Sequence, residues 1–284
     1  MNKLQSEVGK VDAIWRYAVK SMKGEMLKSA DIVEQGMLGD RAFALIDKDT
    51  GKIASAKMPK LWGGLLNFSA RFCGSITQNS TLPPVSITLP SGDRCSTDDS
   101  SIDAILSEII GRSVEITAQR PDTISLDRLD PLEDEECILD IGDIMAEGRF
   151  SDYAPLHIVT DSTLNTLSKL YPDICFDVRR FRPNLIIKTG SENRGFIENE
   201  WVGHNILIGE NVQLKISDPT PRCAVPTLSQ NDSISKDPSI LRAIVEQNRL
   251  PVPLLANEIL PCVGVYAFVM QGGVVREQDK VTIV

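Results

Sequence analysis

Cys223 lies in Ser217-Asp-Pro-Thr-Pro-Arg-Cys-Ala-Val-Pro-Thr227, where a thiol directly follows a guanidinium. Proline at 219, 221 and 226 fixes φ and removes three backbone donors, so the stretch reads as a shaped loop, neither helix nor regular central strand. Arg222 beside the sulfur favours thiolate over thiol. A positioned thiolate is a nucleophile or a ligand for a soft metal, whereas a free cysteine is also commonly a small buried apolar residue; residues 217–227 alone leave these readings open. Two basic groups stand elsewhere in the chain. Lys20, Ser21 and Lys23 put ammonium and hydroxyl donors on a turn closed by Gly24, equipment for a phosphate or simply a solvated basic turn. Arg179, Arg180 and Arg182, followed by Pro183 and Asn184, form a basic mouth ahead of an apolar strand, or a surface cluster. His157 and His204 are the only histidines and neither has a motif partner, so both read as structural, with a Cys–His couple to Cys223 left open.

The elements that must position these groups are mostly strands. The pattern Ile14, Tyr17, Val19 suggests a strand running into the Lys20–Gly24 turn. Residues 41–57, opened by Arg41, read as a hairpin, and 65–72, 85–89 and 114–117 as short strands. Helices are expected at 101–110, from Thr160 or Asp161 to Tyr171, and at 238–248 behind Asp237 as cap and Pro238 as first helical residue. Strands at 156–160, 185–187, 212–216, 262–270 and 281–284, with a hairpin-like stretch at 201–209, complete the second half. The fold class is therefore β-rich α+β: two β-barrel-like units with about three helices and no sustained βαβ alternation. The expected division is 1–120, an acidic connector at 121–150, and 151–284.

Composition narrows the function. With 284 residues the chain can build one large or two moderate domains. Its net charge of −9 argues against general affinity for nucleic acid or anionic lipid. The charge is uneven: residues 121–150 hold ten Asp/Glu against two Arg, and residues 1–60 eleven Lys/Arg against eight Asp/Glu. A small anion could still be held by that basic first segment. The consecutive run Glu133–Glu136 reads as solvated surface, because neighbouring carboxylates cannot converge on one point. The six cysteines form no Cys-x-x-Cys pair, which excludes a zinc ribbon and a thioredoxin-type couple. Without a leader-like or membrane-spanning segment, a reduced, cytoplasmic setting is expected. There is no Gly-x-Gly-x-x-Gly, Walker A, Gly-x-Ser-x-Gly or His-Glu-x-x-His motif.

Several stretches, in this order, resemble proteins that join an N-terminal MOSC β-barrel domain to a MOSC (molybdenum cofactor sulfurase C-terminal) domain. They are Ala18-Val-Lys-Ser-Met-Lys-Gly24, Gly39-Asp-Arg-Ala-Phe43, Phe181-Arg-Pro-Asn184, Pro221-Arg-Cys223 and Gly264-Val-Tyr-Ala-Phe268. The family includes the amidoxime reducing components and related bacterial reductases of N-hydroxylated compounds. The resemblance implies a molybdenum cofactor, molybdopterin, whose metal takes two dithiolene sulfurs from the pterin and one from the protein, Cys223. It further implies that Lys20, Ser21 and Arg41 bind the terminal phosphate, that Arg182 and Asn184 lie near the pterin, and that Arg222 sits beside the metal ligand. The implied activity is oxygen-atom removal from N–O substrates, with electrons from a separate haem, flavin or iron–sulfur protein. The serine of the amidoxime reducers before that arginine is Pro221 here. Two other functions stay open: a non-catalytic carrier of cofactor or sulfur, and a cysteine hydrolase.

Overall fold

The computed structural model describes residues 6–78, 80–121, 125–129, 136–140, 149–151, 153–230 and 233–284. Seven strands close into a barrel: β1 (Ser6–Arg16), β2 (Leu156–Thr160), β3 (Leu185–Lys188), β4 (Asn205–Ile208), β5 (Val212–Pro221), β6 (Glu258–Gln271) and β7 (Lys280–Ile283). Their order around the wall is β2-β3-β1-β7-β4-β5-β6 and back to β2, antiparallel throughout except for β2 on β3. Alternation explains the interior: Val11, Ile14, Leu156, Ile158, Ile206 and Val265 point inward into one cluster. In β2 every residue is buried, because Leu156 and Ile158 face the barrel while Val159 packs against a helical layer.

That layer is α3 (Asp161–Leu170) and α4 (Ser239–Gln247), whose Leu167, Ile240 and Ile244 meet Val159. Thr160 caps α3 by accepting the Thr163 N–H at 3.2 Å. At α4, Pro238 takes the cap position and Asp237 accepts the Ser239 N–H at 3.0 Å, one residue later than the sequence suggests.

Most of the first half packs around a second core, with Val19, Leu45, Trp62, Phe68, Ile87 and Leu106 among its members. Its walls are the sheet of Ser69–Phe72, Val85–Thr88 and Arg94–Ser96 and the pair Ala44–Asp47 with Val114–Thr117, braced by α2 (Ile102–Ile110). Four α-helices occur among the described residues: the three expected and the one-turn α1 (Pro59–Trp62). The expected strand at 65–72 begins only at Ser69, since Gly63–Asn67 forms a 3-10 turn; a short apolar run does not distinguish the two. The expected loop at 217–227 is strand as far as Pro221, with register shifts between Ile216 and Pro219 and between Pro219 and Pro221 that accommodate the prolines. Within the acidic connector, Ser125–Leu129 pairs with Glu136–Asp140. Glu133, Asp134 and Glu135 lie outside the described residues.

Candidate functional site

Ile14 of β1 pairs with Leu185 of β3, so the turn leaving β1 and the segment entering β3 are neighbours. Tyr17 occupies that junction, buried, donating its hydroxyl to the Pro183 carbonyl at 3.1 Å. Two guanidiniums stack on its ring: Arg41 at 4.8 Å and Arg182 at 4.3 Å from the centroid. Arg41 donates to the Arg182 carbonyl at 3.3 Å, and Arg182 to the Met22 carbonyl at 2.7 Å. Asp40, fully buried, forms an ion pair with Arg41 and accepts the Tyr17 N–H at 2.8 Å, which fixes the height of the pair. Gly24 closes the turn because a side chain there would come within 2.7 Å of the Tyr17 ring.

Backbone strain gathers at the same place. Six non-glycine residues among those described have positive φ, and three of them are Ser21 (64°), Arg41 (49°) and Arg182 (54°). Each left-handed residue costs roughly 1–2 kcal/mol, a cost that persists where surrounding contacts impose the geometry. Ser21 accepts the Ala56 N–H at 3.0 Å on its hydroxyl oxygen, which leaves its proton to donate. Lys20 is buried and donates to the Phe150 carbonyl at 2.8 Å. Asn184 is buried too: its amide accepts the His157 N–H at 3.1 Å and donates to the Trp15 carbonyl at 3.3 Å, tying β1 to β2.

Cys223 reaches this cluster through Arg222 and a small apolar contact. Arg222 donates to the Phe181 carbonyl at 3.0 Å, one residue from Arg182. The Cys223 side chain, half-buried, rests on Ala56, Leu66, Val225 and Leu228, and Ala56 is the residue bonded to Ser21. Arg180 holds the loop in shape. Almost wholly buried, its guanidinium donates to the carbonyls of Cys175 at 3.0 Å, Pro226 at 3.0 Å, Leu228 at 3.4 Å and Ser235 at 2.9 Å. All seven candidate residues are thus linked by short chains of contact, Asn184 as a strand tie and the others around the Tyr17 platform and the loop.

The electrostatics are those of a cationic niche. Burial raises the Tyr17 hydroxyl well above its ordinary value, and Arg182 and Arg41 pull the other way. Burial, then the charge of Arg222, lowers His157 well below the usual imidazole range, so the ring is neutral; its Nε2 lies 3.2 Å from the Val263 carbonyl oxygen. Lys23 is lowered by burial and by Arg179. Two buried hydroxyls, Thr220 Oγ1 and Ser151 Oγ, make no hydrogen bond among the described residues. One lies three residues before Cys223, and the other follows the carbonyl that receives Lys20. No group of three His, Cys, Asp or Glu gathers among the described residues, so any metal at Cys223 needs ligands brought by something else.

Sequence reasoning missed Tyr17 as a platform, Asp40 as the buried counter-charge and Arg180 as the clamp. Tyr17 adjoins one recognised motif and Asp40 lies inside another. Arg180 carried no distinguishing signal, being one of three arginines in four positions.

Residues 8–63 match the MOSC N-terminal beta barrel domain and residues 146–282 the MOSC domain. Human mitochondrial amidoxime reducing component 2 (Homo sapiens) is 26% identical over 296 residues, covering 97% of this chain and 83% of that protein. Among solved structures, the YUAD protein of Bacillus subtilis is similar at 11% identity and a TM-score of 0.47, over 99% of this chain and 98% of that one. YiiM of Geobacillus stearothermophilus matches 46% of this chain and 54% of its own at 15% identity and a TM-score of 0.32. No helix among the described residues is long and apolar enough to cross a membrane. With both domains found in order, and the stretches that suggested them gathered around Tyr17 and Cys223, the chain belongs to the proteins that join a MOSC N-terminal β-barrel domain to a MOSC domain.

Proposed function

We propose that the chain is a molybdenum-cofactor oxidoreductase that reduces N-hydroxylated compounds. The observation that carries the reading is the linkage of Arg41, Arg182 and Arg222, from both halves of the sequence, around Tyr17 and Phe181, with half-buried Cys223 following Arg222 in the chain. The fit to a pterin with a phosphate tail rests on this chain's own atoms. Lys20, Ser21 and Arg41 offer an ammonium, a hydroxyl proton and a guanidinium for the phosphate, and a charge-assisted hydrogen bond of that kind contributes about 1.5–3 kcal/mol. Arg182 and Arg222 would hold the polar edges of the pterin, with Asn184 fixing the strand from which Arg182 projects. Thr220 Oγ1 and Ser151 Oγ are buried hydroxyls with no partner among the described residues, and a bound group could supply one. Cys223 would be the protein's single ligand to the metal.

Bound there, the cofactor would supply oxygen-atom removal from the substrate, two electrons and two protons being consumed per water released, with the electrons from a separate haem, flavin or iron–sulfur protein. The chain's part is to hold, orient and tune. His157, neutral and buried behind Arg222, adds no competing positive charge to the niche. The name of the human relative supports amidoximes as a substrate class.

The test is metal and pterin analysis of protein made in a host able to synthesise the cofactor, with benzamidoxime reduction by a chemical electron donor measured alongside. Stoichiometric molybdenum in the wild type and its loss in Cys223→Ser is the expected result. Full metal content and full reduction in that variant would falsify the assignment. Stable cofactor with no turnover from any donor would make the chain a carrier.

A further inference from the structure

Tyr17 is 3% exposed, and each of its polar groups serves Arg41 or Arg182. Its carbonyl accepts the Arg41 N–H at 2.6 Å, and its own N–H donates at 2.8 Å to Asp40, the ion-pair partner of Arg41. Its hydroxyl donates at 3.1 Å to the carbonyl of Pro183, the residue after Arg182. The ring carries both guanidiniums, at 4.8 and 4.3 Å from its centroid. An aromatic face attracts each cation, so one ring holds together two like charges that would otherwise move apart. Arg182 needs this support most. A residue before proline is pushed towards extended backbone, yet Arg182 has a φ of 54°. The Tyr17 hydroxyl on the Pro183 carbonyl, Arg41 on the Arg182 carbonyl at 3.3 Å and the ring against the guanidinium together impose that conformation.

We infer that Tyr17 is a positioning residue for the cofactor: its hydroxyl sets the backbone direction of Arg182, and its ring sets the spacing between Arg182 and Arg41, one from each half of the sequence. The inference rests on the proposed function for what the two arginines hold, but the positioning itself can be read without it. Tyr17→Phe removes the hydroxyl and keeps the ring; Tyr17→Leu removes both. Ile206→Val, in the barrel core on a strand that does not pair with β1, is the control for plain destabilisation.

The rate of pterin release from the loaded protein, followed by the fluorescence of the oxidised pterin in the filtrate, rises about fivefold in Tyr17→Phe, the size expected of one buried hydrogen bond, and about tenfold further in Tyr17→Leu. Ile206→Val, which also lowers the melting temperature, releases it at the wild-type rate. Because the hydroxyl acts through Arg182, Tyr17→Phe adds nothing to Arg182→Gln in the double variant. Wild-type release from Tyr17→Phe, equally fast release from Ile206→Val, or additive effects in the double variant overturn the inference. A wild type that carries no pterin ends the proposed reaction instead, and the same double-mutant cycle is then run on the melting of the cofactor-free protein: coupling between Tyr17 and Arg182 upholds the positioning, and additivity overturns it.

Discussion

Arg180 and Arg182 stand two positions apart and read alike as sequence, yet they serve different parts of the molecule. Arg180 points into the protein and spends its donors on four carbonyls of the 175–235 region. Arg182 turns the other way through a left-handed backbone, lies over Tyr17 and joins Arg41. One arginine builds the loop that carries the thiol; the other lies on Tyr17 beside Arg41, where the proposed function puts the cofactor. Type and spacing do not tell the two apart, whereas the partner sets do: four backbone carbonyls in the first case, one carbonyl and an aromatic face shared with a second guanidinium in the second.

Substitutions that treat the two positions separately can break this contrast. The largest stability effect is expected from Arg180→Met. It leaves the carbonyls of Pro226, Leu228 and Ser235 without this donor, costing about 3 kcal/mol or more. In a chain this long that lowers the melting temperature by roughly 6–12 °C. If Arg180→Met melts with the wild type, the clamp is not what shapes the loop. Asn184→Ala comes next, at about 1–3 kcal/mol, because the His157 N–H and Trp15 carbonyl lose buried partners; chemical denaturation measures it. Arg182→Gln is expected to cost only about 1–2 kcal/mol in stability, mostly the cation–π contact, yet to strip most of the cofactor, read as pterin released on desalting. An equal loss of cofactor and stability at both arginines would erase the distinction. Lys28→Ala, at an exposed pair with Glu277, should change stability by under about 1 kcal/mol and leave the cofactor in place.

Acid sharpens the contrast further. Because His157 is held neutral by burial and by Arg222, its folded-state pKa lies below its unfolded one, and the unfolded chain binds the extra proton. Stability is therefore unaffected by this group above the unfolded value of about 6.5 and falls as pH drops below it. His157→Gln, which can still donate to the Val263 carbonyl, should lose less stability than the wild type between pH 7.5 and pH 5. Parallel losses in the two proteins would assign the acid sensitivity elsewhere.

Local order was legible where one rule acts alone. The Thr160 cap, the Asp237-Pro238 helix start and the bounds of the helix expected at 101–110 all appear within a residue of their expected places. The one-turn helix at Pro59 and the 3-10 turn at Gly63 carried no periodic signal. The strand through Pro219 and Pro221 was obscured because a proline rule that excludes regular strands does not exclude bulged ones. In the candidate site, motif order grouped Lys20, Ser21, Arg41, Arg182, Asn184, Arg222 and Cys223, but their division of labour depends on which side of a strand each side chain leaves. Asn184 shows the limit, since its amide is taken up by backbone on both sides.

The pairing of Ser6 with Ile283 and of Val11 with Ile187 gives the barrel a very long sequence separation between touching strands. On the ribosome, this strand can pair early with Glu25–Leu27 but must wait for residues 185–188 and then 280–283 before the barrel can shut around it, which makes closure a late and slow event. A gene split between the halves should give a C-terminal fragment with a gap in its wall and two unpaired edges inviting aggregation. Supplying residues 6–16 as a separate peptide should restore solubility, in the manner of a donated strand.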